Sequence, residues 1–370
     1  MNALRLLERV APRLAAGEKY HVGLHLGGER LSAAQMQRTA AGLALRAVAS
    51  VDLGCPWYAM LCEPRRFQQL LRHFWKEHDL RGANVVAAMP QEQLKVFTVD
   101  YTGSQGPEAE VIANEVRDRL KGKARTVFDF VPVRQAAPEE RSREAVVAAA
   151  AREDVTAFLD LLGGAGLRVS ALDIAGMALK RVVPWADEAD GRGMQSALLI
   201  HVGAESSQLM LVWGRRLMLD RTIEFSEQRL VARVARQLDL PEHSAKRLLA
   251  EHGLRGAQAA AAGEIDSALR EIIGAELMLL KTEVSKTLHY AASKMRGEAV
   301  ERMLLVGAVG RFPGIAQVLS GALSKRVEIL DPLSMFAHPL SADEAAALSP
   351  HYGVAVAIGL ALRGVPAPQR

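Results

Sequence analysis

Two short stretches place a histidine just ahead of a small-residue turn. Leu24-His25-Leu26-Gly27-Gly28-Glu29 and Ile200-His201-Val202-Gly203-Ala204-Glu205 share one pattern: apolar residue, histidine, apolar residue, glycine, small residue, glutamate. Imidazole changes charge near neutral pH and binds transition metals, so each copy could do proton or metal chemistry. A metal reading recruits His21 too, because His21 and His25 at even spacing on a strand share a face. No carboxylate or cysteine completes a set with His21, His25 and His201. The two cysteines, Cys55 and Cys62, have no second pair and no zinc-like histidine spacing, which points to reduced structural thiols.

Each motif needs a strand before the turn and a strand after it. Residues 21–37 read as one pair of strands and "GLALRAVASVDL", 42–53, as another. In "PRRFQQLLRHFWKEH", Phe67, Leu70, Leu71, Phe74 and Trp75 recur at helical spacing, a core-facing stripe. "ANVVAAMP" reads as a strand stopped by Pro90 and "LKVFTVDY" as another. The loop "TGSQGPE" leads into a helix with its stop at Gly122, then "RTVFDFVPV" and "EAVVAAAA" read as strands around a polar loop at 135–143. These make 84–151 an inserted small module in a first lobe whose core is 1–83, completed by 152–193. The polar, Gly/Pro-bounded "PWADEADGRG", 184–193, reads as the interlobe linker, and 194–370 as the second lobe. There the repeated hairpin is followed by helices, the low-complexity "AQAAAAGE", a long helix through Leu269, Ile273, Leu277, Leu280, Val284 and Leu288, and a small-residue closing helix. Two halves that open alike indicate a duplicated α/β lobe.

Composition agrees. At 370 residues the chain exceeds the size at which one core keeps growing. With 49% apolar and 24% charged residues it is an ordinary globular protein. Its net charge of +4 is spread over pairs such as Arg65-Arg66 and Arg215-Arg216 without interleaved aromatics, so nucleic acid is not an expected partner. An acidic partner or the inner membrane surface suits the charge better. The N-terminal "MNALRLLERVAPRL" could form an amphipathic helix but lacks the unbroken apolar core of a secretory signal, and "AVVAAAA" and "VAVAIGLAL" are too short to span a bilayer. A cytoplasmic location is expected.

The segments "AREDVTAFLDLLGGAGLRVSALDIAGMALKR", "VERMLLVGAVGRFPGIAQVLSGALSKRVEILDP" and "YGVAVAIGLALR" resemble the PilM-like type IV pilus assembly family, relatives of FtsA in the actin-like ATPase superfamily. The resemblance implies a two-lobed actin-like (RNase H-like duplicated) fold with an FtsA/PilM-type inserted subdomain. It implies ATP between the lobes, with Mg²⁺ held by an aspartate before each turn, and a site made of Gly27, Gly28, Gly203, Ala204, Ser206, Gly307 and Gly310. Lys246 and Glu283 match positions that face the purine and ribose. Backbone N–H groups of small-residue turns suit phosphate, and Mg²⁺ prefers carboxylate and water oxygens. Here both aspartates are replaced, by His25 and His201, which brings no negative charge to a metal. A scaffold with a degenerate nucleotide site is therefore expected, an active Mg-ATP-binding ATPase being the alternative, with Glu29 or Glu205 as substitute ligand and Asp173 or Asp220 as the available acids. The resemblance further implies a peripheral place beneath the inner membrane, other pilus-machine partners and self-assembly. It also implies capture of the N-terminal cytoplasmic peptide of a PilN-like membrane protein, in a groove including Val85 to Pro90 and Leu94 to Asp100.

Overall fold

Side-chain alternation decides how the first sheet is used. The computed structural model describes residues 21–102, 108–120, 125–133, 142–193, 196–254, 264–294, 299–349 and 351–368. β1 (Val22–Gly27) and β2 (Arg30–Thr39) form an antiparallel hairpin, and β3 (Gly42–Asp52) pairs with β2 along its length. The span 42–53 is thus one strand and not the expected pair, because nothing after Gly42 turns the chain. Val22, Leu24 and Leu26 enter one core with Phe67, Leu71 and Phe74 of α1 (Pro64–Glu77). Gly23, His25 and Gly27 face the opposite side, as a period of two requires.

β4 (Asn84–Ala88) corrects the expected start of the inserted module. It pairs in parallel with β1 on one side and with the strand Arg168–Asp173 on the other. Val85, Val86, Ala87 and Ala88 are all buried, the pattern of a strand covered on both faces. The module's own sheet starts with β5 (Lys95–Thr102), continues through α2 (Glu108–Arg119), β6 (Thr126–Pro132) and β7 (Ser142–Ala151), and has the order β5-β7-β6. One of its faces buries Val99, Tyr101, Ala145 and Val147 with Ile112 and Val116 of α2. Gly122, the loops at 103–107 and 135–140, the N-terminal helix and most of "AQAAAAGE" lie outside the described residues.

α3 (Arg152–Gly164) leads back to β8 (Arg168–Asp173), which completes the order β3-β2-β1-β4-β8. α4 (Ala175–Ala189) then runs straight through Pro184, so the expected linker at 184–193 is mostly helix. An interior proline costs about 3 kcal/mol; burial of Val182, Val183 and Ala186 along the same helix offsets it. The second sheet contains β9 (Ser196–Val202), β10 (Ser207–Trp213) and β11 (Arg216–Ile223). After α5 (Glu227–Leu238), α6 (Glu242–Glu251) and the long α7 (Glu264–Lys294), it adds β12 (Arg302–Val306) and, past α8 (Ile315–Leu323), β13 (Val327–Ile329). Its order, β11-β10-β9-β12-β13, repeats the first sheet strand for strand, with the same two antiparallel and two parallel pairings.

The chain ends with α9 (Ala342–Leu348) and α10 (Tyr352–Ala361). α10, expected within the second lobe, instead packs on β1, β2 and α4. The reason is local: a Cβ on Gly23 would lie 2.0 Å from the Ala357 carbonyl, and one on Gly359 2.1 Å from that of Ala178. Glycine at both crossings lets the backbones touch. α10 therefore delivers its first residue, Tyr352, to the space between the two sheets.

Candidate functional site

The two glycine turns stand at matching corners of the two sheets. β1 ends at Gly27, and Gly28, with φ 58, makes the two-residue turn into β2. Around it the Trp57 amide donates to the Gly28 carbonyl at 2.9 Å and the Leu53 amide to that of Glu29 at 2.8 Å. In the second turn the Gly203 amide donates to the Ser206 carbonyl at 3.1 Å. The Glu227 and Gln228 amides at the start of α5 donate to the Gly203 and Ala204 carbonyls at 2.8 and 3.0 Å.

Between the turns lies a stack of three rings. His201 and Tyr352 are stacked, 3.4 Å between centroids and 13° between planes, while His25 meets the same Tyr352 edge-on at 5.7 Å and 87°. The Tyr352 hydroxyl donates to Gln208 Oε1 at 2.8 Å. The glycines crowd these rings. A Cβ would lie 2.4 Å from His25 Cε1 at Gly27, 3.2 Å from His201 Cε1 at Gly203, and 2.9 Å from His201 Cδ2 at Gly307. Gly307, with φ 114, is in the left-handed region beyond the end of β12, where Val306 pairs with His201.

Burial keeps the stack neutral. It lowers His25 to about 4. Burial, with the nearby His25 adding, lowers His201 to about 3 against a hydrogen bond with Gln208. Tyr352 is raised well above its ordinary value, first by burial and then by the charges of Asp220 and Glu92. Asp220, buried on β11 over Gly176 of α4, has neither oxygen hydrogen-bonded and is pushed up by burial to about 7. Asp173, the other acid singled out, is committed to structure: Arg181 and Arg363 hold one oxygen at 2.7 and 2.8 Å, and the Ile174 amide the other at 2.9 Å.

The remaining site residues separate. Ser206 is exposed and helps line an open hollow of about 540 Å³ with Glu205, Thr222 and Arg229. Gly310 donates its amide to Gly307 and has only ordinary contact with Ile329. Lys246 on α6 is half exposed and pairs at 3.2 Å with Glu227, one hydrogen bond from the second turn. Glu283 on α7 is bound by Arg221 of β11 and by Lys286 at 2.6 Å. Arg221 and the cleft-side Asp220 are successive residues on one strand, so they face opposite sides of the sheet.

Residues 23–365 match the model of the type IV pilus assembly protein PilM family. The chain belongs to the PilM family. No curated protein matches the sequence. A solved "PilM-PilN type IV pilus biogenesis complex" is similar at TM-score 0.72 and 23% identity, covering 96% of this chain and 100% of that one. The ethanolamine utilization protein EutJ of Carboxydothermus hydrogenoformans is similar at TM-score 0.51 and 14% identity, covering 92% and 90%. The fold is the two-lobed actin-like ATPase fold.

In this PilM-family chain the donor set at the turns does not suit Mg-ATP. Two imidazoles of low basicity lie over the glycines, and Mg²⁺ has little affinity for neutral imidazole nitrogen. Glu29 and Glu205 are exposed at the turn tips. Tyr352 was legible only as part of the family's closing segment. A tyrosine at the head of an otherwise Gly/Ala/Val/Ile/Leu helix, "YGVAVAIGLA", was the available signal that one polar-tipped ring had a partner to reach. Gln208, a polar residue inside an apolar strand, carried a similar one.

Proposed function

We propose that this chain is an actin-like scaffold of type IV pilus assembly whose cleft does not hydrolyse ATP. It captures the short N-terminal cytoplasmic peptide of a PilN-like inner-membrane protein and is thereby held, peripherally, at that membrane. The family match over nearly the whole chain, inserted module included, carries the reading. The solved relative that pairs PilM with PilN supports the choice of partner. Among the described residues no helix is long and apolar enough to cross a membrane, which is consistent with attachment through a partner.

The peptide groove narrows from its sequence-level outline. Val85–Ala88 are interior strand and drop out. The half-buried Val96, Phe97 and Thr98 of β5 remain, together with Leu94, which packs against both the first-lobe core and the larger core shared by the two sheets. An extended peptide would read such a strand through alternate side-chain pockets. The alternative, an active Mg-ATPase, has one feature in its favour. Asp220, raised by burial to about 7, would be a base poised near neutral pH.

Isothermal titration of the full chain with a synthetic N-terminal cytoplasmic peptide of a PilN-like protein decides between the two, run in parallel with Mg-ATP. Saturable peptide binding without nucleotide turnover is the expected outcome. Turnover abolished by Asp220→Asn establishes the ATPase instead.

A further inference from the structure

The ring stack does more than fail to hold a metal. Its members come from three separate places: His25 from the first sheet, His201 from the second, and Tyr352 from the helix that closes the chain. We infer that Tyr352 is the built-in occupant of the interlobe cleft, a strut that joins the two lobes where nucleotide would otherwise join them. The inference builds on the reading of the cleft as unsuited to Mg-ATP and is tested apart from it.

Three observations carry it. The ring touches both lobes at once, face to face with His201 and edge to face with His25, arrangements that aromatic pairs favour beyond simple burial. Its position is fixed at both ends. The hydroxyl is anchored on Gln208 of the second sheet, and the helix behind it is seated on the first through the close crossings at Gly23 and Gly359. Finally, the glycines fit the rings. Gly27 and Gly307 each approach an imidazole so closely that a side chain would collide, at 2.4 and 2.9 Å. Glycine at Gly27 and Gly307 is thus needed here to admit the histidines.

A strut predicts closed lobes without ligand. In this chain closure would be a property of the fold. The surfaces that depend on interlobe angle, including the contacts of β11 with β5 and β7 of the module, would then be presented constitutively.

The test compares the full-length wild type with Tyr352→Phe and Tyr352→Ala, each verified as folded by circular dichroism. Amide exchange is followed over residues 22–36 and 196–212, and the radius of gyration by small-angle scattering. Tyr352→Phe keeps the ring, loses one hydrogen bond, and is expected to exchange clearly more slowly than Tyr352→Ala. Tyr352→Ala is expected to exchange about tenfold faster in both hairpins, because local opening sets those rates, and to expand. Unchanged exchange and dimensions in a folded Tyr352→Ala overturn the strut. Tyr352→Phe opening as far as Tyr352→Ala overturns it as well, by assigning the effect to the hydroxyl alone. Titration of the wild type with Mg-ATP is the separate arm. Saturation below roughly 1 mM, an affinity of about −4 kcal/mol, would remove the reading of the cleft while leaving the exchange result to stand on its own.

Discussion

The interface between the lobes is secured differently at its two ends. At one end, Arg302 opens β12 with its guanidinium buried among carboxylates: Asp187 at 2.6 Å and Asp190 at 2.7 Å, both on α4 or its end, and Glu328 of β13 at 2.6 Å. Arg192 adds a second cation on Glu328 at 3.2 Å. At the other end of the same strand, four residues or about 13 Å away, Val306 sits beside His201 and the neutral ring stack. Charge is kept where every carboxylate has a guanidinium to meet it, and neutral imidazoles fill the other end. The difference teaches that this interface is complete within the chain at both ends, by an ion cluster in one place and by aromatic packing in the other.

The most severe way to break the contrast is at the charged end. Arg302→Met leaves the buried Asp187 without its guanidinium while Glu328 keeps Arg192, and a loss of about 3 kcal/mol is expected. Urea denaturation measures it, and a loss under about 1 kcal/mol would mean that the cluster is solvated rather than buried.

Acid titration separates the ends more finely. His25 and His201 have folded values of about 4 and 3 against an ordinary 6.5, so between roughly pH 4 and 6.5 the unfolded chain binds protons that the folded one refuses. Stability therefore rises with pH across that window, by about 1.4 kcal/mol per pH unit for each histidine. Asp220 acts in the opposite sense, because at about 7 it holds a proton in the fold that an unfolded carboxyl has lost. His351, lowered by burial and by Arg30 and Arg311 to about 4, adds to the histidine side. The double variant His25→Asn/His201→Gln should lose most of the rise in thermal midpoint between pH 4.5 and 6.5, while Arg302→Met should keep it.

Two smaller changes sharpen the picture. Tyr352→Phe removes one hydrogen bond and strands the Gln208 oxygen, which costs about 1 kcal/mol while the stack persists. Lys246→Ala removes a half-exposed ion pair with Glu227 and should cost well under 1 kcal/mol. A larger effect that appears only in the presence of ATP would restore Lys246 to a purine-facing role.

Much of the fold could be read along the chain. The twin hairpins, the core-facing stripe of α1, the long α7 and the duplication are all written as local periodicity, and each formed as expected. Errors fell where one element's environment is supplied by a distant one. β4 reads as a module strand until β1 and β8 are seen on either side of it. The polar stretch after Pro184 reads as linker until α4 is found packed on both edges of the proline. α10 follows the second lobe in sequence and lies on the first sheet because Gly23, more than 300 residues earlier, leaves room for it.

For the site, the sequence by itself determined that both glycine turns exist and that a histidine stands ahead of each. That much is residue identity at a fixed spacing, and it settles which metal chemistry the side chains can support. Only the tertiary structure decided that the two histidines face one another across a third ring. The stack is a contact among residues 25, 201 and 352, and no local pattern encodes which rings meet when two sheets and a closing helix converge. Their neutrality follows from the same convergence, since an imidazole's charge is set by how much water the fold leaves around it.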